Sequence, residues 1–406
     1  MEPFNNLSPQ PPPLPRQRIG RLHSETFRGI PLHAQGPIEL AGQSIRSMAG
    51  CPYHTRMGEM TSQLERLVHS PAGAALVVVS VALTLLAMVA SSLRTLGGLY
   101  RHFIRGGRNL RQYGEWAVVT GATDGIGKAY AEALAKQRLR LVLISRTASR
   151  LEEEAKAITD KFGVEVRVVA ADLTSTDPAV FSRIQEALKP LDVGILVNNA
   201  GMSYPHPEYM HVVGDEDIKN IVNLNVLSLS KLCRIVLGGM KERGRGLIVN
   251  VGSGAATAIP SGPLLAVYTA SKAYVDALSR SLDHEYREFG VRVQNQAPLF
   301  VATKMSKIRR ARIDAPTPEV WAAAAVRAMG YETVFFPYWF HALQAAAVKL
   351  LPASLVQYQV MQIHRSLRRA AYRKKSKAAA ELLRARSGNE AGEAPAPTAN
   401  GVKKDD

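Results

Sequence analysis

Val118-Val119-Thr120-Gly121-Ala122-Thr123-Asp124-Gly125-Ile126-Gly127-Lys128 joins an apolar run to an amphipathic one. Residues 116–120 read as a buried strand and residues 128–136 as a helix. The three glycines between them are spaced G-x-x-x-G-x-G. A chain that turns this sharply and lets a phosphate reach its backbone has no room for a Cβ. The helix that follows points free N–H groups and the positive end of its dipole at that phosphate.

Outward from this loop, strand and helix patterns alternate from residue 116 to about 329. Strands are expected at 116–120, 140–144, 165–170, 193–197, 246–251 and 292–296. Helices are expected around 129–137, 150–162, 180–188, 218–243 and 265–289. Such alternation implies an α/β fold, a doubly wound parallel sheet of the Rossmann type.

The chain has 406 residues, 46% of them hydrophobic, and a formal charge of +17. That charge calls for an acidic partner. The basic residues cluster beside an apolar segment and in the C-terminal region, which favours a membrane surface over a nucleic-acid groove. No zinc-ligand spacing or RNA-binding aromatic signature is present, so neither metal nor nucleic acid is expected. Cys51 and Cys233 are far apart and form no redox motif, which argues against a disulfide framework.

Residues 1–70, with Pro11-Pro12-Pro13 and Pro15, read as a disordered arm. Residues 72–93 carry no charge and are long enough to cross a bilayer. Arg94, Arg101, Arg105, Arg108 and Arg111 follow it, an excess that places the downstream chain in the cytosol. A catalytic domain then occupies 112–330. The aromatic stretch 333–359 reads as an interfacial helix or a lid, and basic sequence continues to about 388. A Pro/Ala-rich tail, 389–406, ends in Lys403-Lys404-Asp405-Asp406.

Tyr268 and Lys272 stand four residues apart and share a helix face. They follow a strand ending Asn250-Val251-Gly252-Ser253, whose serine falls at the carboxyl edge of the sheet, where α/β proteins bind ligands. A phenol has a pKa of roughly 10. A neighbouring ammonium is expected to lower it and fit it for proton transfer. Cofactor choice follows from charge. An NAD enzyme carries an acid at the end of its second strand, whereas this strand ends Ser145-Arg146-Thr147. Arg146 suits a 2′-phosphate, so NADPH and the reducing direction are expected.

Together these residues resemble the short-chain dehydrogenase/reductase family over about 114–303. The match comprises Thr120-Gly121-x-x-x-Gly125-x-Gly127, Asp172-Leu173-Thr174, Asn198-Asn199-Ala200-Gly201, Asn225, Ser253 and Tyr268-x-x-x-Lys272. The resemblance implies that Gly121, Thr123, Asp124, Gly125, Ile126 and Gly127 hold the cofactor. It further implies that Asp172 contacts adenine, Asn199 lies beside the cofactor, and Val301 and Thr303 meet the nicotinamide carboxamide. Ser253, Tyr268, Lys272 and Asn225 are implied as catalytic, with transfer of the pro-S hydride. Lys272 also grips the ribose, and Asn225 anchors a proton-relay water. Ser253 precedes Tyr268 by fifteen residues where thirteen is usual in the family, which leaves Ser261 as an alternative.

A narrower similarity is to the membrane-bound very-long-chain 3-oxoacyl-CoA reductases of fatty-acid elongation. It rests on Asn109-Leu110-Arg111-Gln112-Tyr113-Gly114, Gly201-Met202-Ser203-Tyr204-Pro205, Val301-Ala302-Thr303-Lys304-Met305 and Pro337-Tyr338-Trp339-Phe340-His341-Ala342. It implies a long-chain 3-oxoacyl-CoA substrate, contact with membrane lipid and with other elongation enzymes, and an endoplasmic-reticulum address read from the terminal dilysine. A membrane-bound hydroxysteroid or retinoid dehydrogenase is the second reading, and a non-catalytic NADPH-binding scaffold the third.

Overall fold

The computed structural model describes residues 52–392. The proline-rich start and the Lys403-Lys404 terminus, with the expectations attached to them, lie outside the described residues. The chain divides after Ser92 into two units.

The described residues of the first unit are helical. Helix α1 (Pro52–Val68) occupies sequence read as part of a disordered arm. Met57, Met60, Leu64 and Leu67 recur on it at helical spacing, among helix-favouring Glu, Gln and Arg, a short stripe masked by the proline-rich sequence before it. Helix α2 (Pro71–Leu99) starts as its sequence dictates. Ser70 caps it by accepting from the Gly73 amide at 3.0 Å, and Pro71 takes the first turn, where no N–H is needed. At 1.5 Å per residue its 29 residues extend about 43 Å, longer than a hydrocarbon core of about 30 Å. Its side chains are exposed almost throughout.

The second unit is built on a seven-stranded parallel sheet. Its strands are β1 (Trp116–Thr120), β2 (Arg140–Ser145), β3 (Val166–Ala170), β4 (Val193–Asn198), β5 (Gly246–Val251), β6 (Val291–Gln296) and β7 (Val334–Phe335), in the order β3-β2-β1-β4-β5-β6-β7. The order reverses between β1 and β4, which opens a crevice at their carboxyl ends. Helices α3 (Gly125–Lys136), α4 (Ala148–Phe162) and α5 (Pro178–Leu188) follow the first three strands. Helices α6 (Asp215–Val222) and α7 (Leu229–Glu242), joined by a π-helical turn at Asn223–Ser228, follow β4. Short α8 (Gly254–Thr257) and long α9 (Ala266–Tyr286) follow β5. Helix α10 (Pro318–Arg327) precedes β7, and α11 (Trp339–Lys349) and α12 (Ala353–Gly392) come after it.

Successive strand residues serve opposite faces, which is why the central strands β1, β2, β4 and β5 read as mainly apolar runs. Val119 and Val197 join Tyr130, Leu134 and Trp321 in one core. Val118 and Leu196 join Phe181, Leu232 and Val236 in the other. The segment Asp215–Glu242 is also long and apolar enough for a membrane span, but half of its apolar window is buried in this domain.

The C-terminal half of the sheet depends on buried polar groups. Gln294 donates to the carbonyls of Ala328 and Glu332, and Gln296 to that of Ala325, so two strand amides satisfy the open end of α10. Asp283, 1% exposed, accepts from Arg292, the Val293 amide, Thr333 and Arg287. Burial raises its carboxyl, but those four donors outweigh it and hold the pKa at about 2.

The stretch 333–359 is not a separate lid. Its start is the edge strand β7, which extends the sheet beyond residue 330, and α11 buries His341 and Ala345.

Candidate active site

Gly121 (φ +63°) and Gly125 (φ +52°) adopt left-handed backbone that side chains avoid. A Cβ on Gly127 would meet the Gly121 carbonyl oxygen at 2.2 Å and Asn199 Nδ2 at 2.4 Å. The first two glycines therefore shape the turn, and the third lets α3 close onto β1. Asp124 caps α3, accepting from the Gly125 amide at 2.8 Å, and its other oxygen takes Lys304 at 2.6 Å. Asn199 ties the β4 loop to β1 by donating to the Thr120 carbonyl at 3.0 Å.

A cleft of about 540 Å³ opens at the switch point between β1 and β4. Gly121, Thr123, Asp124, Gly125, Ile126, Arg146, Asp172, Asn199, Tyr268, Lys272 and Thr303 all line it. Gly127 and Val301 do not: Gly127 packs beneath the turn, and Val301, 3% exposed, belongs to the core. Asp172 closes an Asx turn on the Thr174 amide and hydroxyl. Arg146 and Arg150 line the far end and form no ion pair among the described residues. Arg150, in the first turn of α4 and four residues after the expected cation, has no motif of its own to mark it.

The chemistry-bearing groups meet at the carboxyl ends of β4 and β5. Ser253 lies near enough to Tyr268 to pull the phenol pKa down, which supports the fifteen-residue spacing over Ser261. The two extra residues are taken up around α8, which Ser253 caps by accepting from the Ala255 amide at 3.2 Å. Lys272, 6% exposed, donates to the Val251 carbonyl at 2.9 Å, and its ammonium packs against Gly201. Asn225 sits in the π-helical turn. It accepts from the Met202 amide, donates to the Met202 carbonyl at 2.9 Å, and donates to Ser271 Oγ at 3.0 Å. One side chain thus joins the β4 loop to α9 beside the tyrosine.

Electrostatics correct one expectation. Burial raises the Tyr268 phenol, and the group that lowers it is Ser253. Burial also lowers the Lys272 ammonium, to about 8.

Two features beyond the sequence reading organise the substrate side. His341 on α11 is fully buried, and burial lowers its pKa to about 4. It accepts from the Leu299 amide at 3.3 Å and donates to the Phe300 carbonyl at 3.0 Å, which fixes the loop carrying Val301 and Thr303. Glu208, 6% exposed, accepts from Arg368 and from Tyr372 on α12, each at 2.6 Å, and from the Tyr209 amide. Burial raises this carboxyl, but the three donors outweigh it and hold it at about 2. From the same loop the Tyr204 hydroxyl accepts from the Val267 amide, one residue before Tyr268.

Sheet order and a cleft at its carboxyl edge are those of a dinucleotide-binding α/β enzyme. The family model described as short chain dehydrogenase matches residues 115–314. The human very-long-chain 3-oxoacyl-CoA reductase is 46% identical over 266 residues, which cover 65% of this chain and 84% of the human protein. The zebrafish very-long-chain 3-oxoacyl-CoA reductase-B is 43% identical over 302 residues, 73% of this chain and 96% of that protein. Among solved structures, one described in work on 7β-hydroxysteroid dehydrogenase stereoselectivity superposes with a TM-score of 0.54 at 25% identity, covering 60% of this chain and 95% of that one. The chain belongs to the short-chain dehydrogenase family.

Proposed function

We propose that the chain is an NADPH-dependent reductase that converts very-long-chain 3-oxoacyl-CoA to 3-hydroxyacyl-CoA. The observation that carries the reading is one cleft lined by Tyr268 and Lys272 and, at its far end, by Arg146 and Arg150, with Ser253 acting on the phenol from beside it. The relatives' names support the substrate class.

The residues suit NADPH. Gly121 and Gly125 leave backbone bare for the pyrophosphate, and Arg146 and Arg150 offer guanidinium forks to a 2′-phosphate. When bound, NADPH supplies the hydride that goes to C3. Tyr268 gives its hydroxyl proton to the C3 oxygen, so the ketone gains one hydride and one proton and becomes an alcohol. Ser253, beside the same phenol, holds that oxygen in line. Lys272 secures the ribose and, with its lowered pKa, exchanges protons readily. Asn225 holds the β4 loop so that a water reaches Lys272 and replaces the spent proton.

Helix α2 anchors the chain in the endoplasmic-reticulum membrane, with the reductase domain and tail in the cytosol. Its length and its exposed apolar surface support this, as does the run of arginines after it. Protease added to sealed microsomes is expected to digest a C-terminal epitope and spare a tag on Met1, and protection of the C-terminal epitope would overturn the orientation.

NADPH oxidation by membranes containing the protein tests the reaction. Long-chain 3-oxoacyl-CoA is expected to be reduced and steroid ketones not. The opposite preference would overturn the substrate assignment.

A further inference from the structure

Between Thr303 and Ala315 the chain makes an excursion that carries Lys304, Lys307, Arg309, Arg310 and Arg312 against one acid, Asp314. Its base is rigid. Ser306 Oγ donates to the Val301 carbonyl at 2.6 Å and accepts from the Thr303 amide, and Arg312 and Ala315 close the far end by mutual backbone hydrogen bonds. Three of the cations shape the loop. Lys304 pairs with Asp124 over the glycine turn, Lys307 donates to the Pro205 carbonyl, and Arg312 pairs with Asp314 at 3.0 Å. Arg309 and Arg310 are exposed and form no ion pair among the described residues.

Adjacent unpaired guanidiniums repel each other, so their position favours an anion arriving from outside. A guanidinium fork matches phosphate oxygens in pairs. The cofactor's 2′-phosphate is not that anion. Arg146 and Arg150, which lie off this excursion, already line the cleft at the end of β2 for that group. The cations are nonetheless close to the chemistry. Met305 lines the same cleft as Tyr268, and Arg309, four residues on, lies at most about 14 Å from it by chain length. Met305 and Ile308 interleave the cations, which gives the loop an apolar surface next to a cationic one.

We propose that this excursion is the recognition site for the phosphorylated end of coenzyme A, with Arg309 and Arg310 taking the 3′-phosphate and pyrophosphate while the pantetheine arm runs over Met305 to the thioester. The inference rests on the reductase reading above and adds the element that tells a CoA thioester from the same acyl group on a smaller thiol.

The test uses the full chain in neutral detergent, which removes anionic lipid as a competing source of phosphate. One 3-oxoacyl group is offered as its CoA thioester and as its N-acetylcysteamine thioester, which lacks every phosphate. In the double variant R309A/R310A, KM for the CoA thioester is expected to rise tenfold or more. KM for the N-acetylcysteamine thioester and for NADPH should stay within twofold, which also reports an intact fold. Adenosine 3′,5′-bisphosphate should compete with the CoA thioester in the wild type and lose that competition in the variant. Equal losses on both thioesters, no loss on either, or a rise in the NADPH KM alone would overturn the assignment. If the wild type reduces neither thioester, the reductase reading itself falls. If it reduces both and the variant does not separate them, only the clamp falls.

Discussion

Around the glycine loop, the contacts that shape the cleft run between neighbouring strands and turns. Thr123 meets Ser145 at 3.1 Å, 22 residues away, Asp124 caps its own helix, and Asn199 reaches back to the adjacent strand. Around the substrate loop the contacts come from far along the chain. Glu208 is held by Arg368 and Tyr372, 160 and 164 residues later, and the Pro263 carbonyl accepts from His364. The cofactor end is thus fixed by turn backbone and adjacent strands, with Lys304 docking on Asp124 from a late loop, and the other end by side chains of a late helix. A fold built this way can keep its cofactor chemistry while its C-terminal helix changes what the pocket admits.

That contrast predicts separable lesions. The largest belongs to the chemistry common to both ends. Tyr268→Phe removes one hydroxyl, so NADPH titration is expected to be unchanged while single-turnover reduction falls about 10²–10⁴-fold. Near-normal reduction would show that the phenol is not the proton donor.

Next is Lys272, whose burial cost is visible in stability. Its folded pKa of about 8 lies below the unfolded value of about 10.4. Below pH 8 both states hold the proton and the folded state bears the full cost. Between 8 and 10.4 the unfolded state binds more protons, so stability should rise with pH, by about 3 kcal/mol in all. Denaturation of cofactor-free wild type beside Lys272→Met should show a rise across that window in the wild type that the variant lacks. Parallel curves would mean the ammonium is not desolvated.

Arg146→Asp probes the cofactor end alone. Loss of a charge-assisted hydrogen bond costs roughly 1.5–3 kcal/mol. NADPH affinity should fall at least about tenfold, while KM for the acyl substrate at saturating cofactor stays put. Equal use of NADPH and NADH before and after would remove Arg146 from the site.

The smallest effect lies at the other end. Tyr372→Phe deletes one exposed hydrogen bond to Glu208, a small change. It should raise the acyl-substrate KM a fewfold and leave NADPH binding alone. A shift in NADPH affinity instead would mean that the two ends are coupled and the contrast is false.

The same contrast explains what was legible in the sequence. Strands β1 to β6 were readable to within a residue at either end: burial on both faces writes β1, β2, β4 and β5 as mainly apolar runs, and valines with flanking turns mark β3 and β6. Strand β7 has two residues and no pattern to detect, and α10 is hidden by its alanines, with only Trp321 marking a core face. At the site, Gly121, Arg146, Tyr268 and Lys272 announced themselves through spacing, and all four line the cleft. Glu208, Arg368 and Tyr372 carried no local signal, and His341 stood only within a quoted stretch with no role attached, since each acquires its role from a partner distant in sequence. The order of influence on the phenol was also illegible: burial and Ser253 set it, which depends on packing density around α9.

The π-helical turn at Asn223–Ser228 has a consequence for how this chain can vary in length. A π turn holds one residue more than the α-helical repeat accommodates. Before it, α6 buries Ile221; after it, α7 buries Leu232, Cys233, Val236 and Met240. Deleting a single residue inside the turn would restore regular helix and rotate everything beyond it by about 100°. Either the apolar stripe of α7 would leave its core or Asn225 would swing away from Met202 and Ser271. The turn therefore acts as a phase counter between the proton-handling end of the helix and its packing end. Insertions and deletions across α6 and α7 should be absent among working variants, even where most individual side chains on the exposed face are free to change.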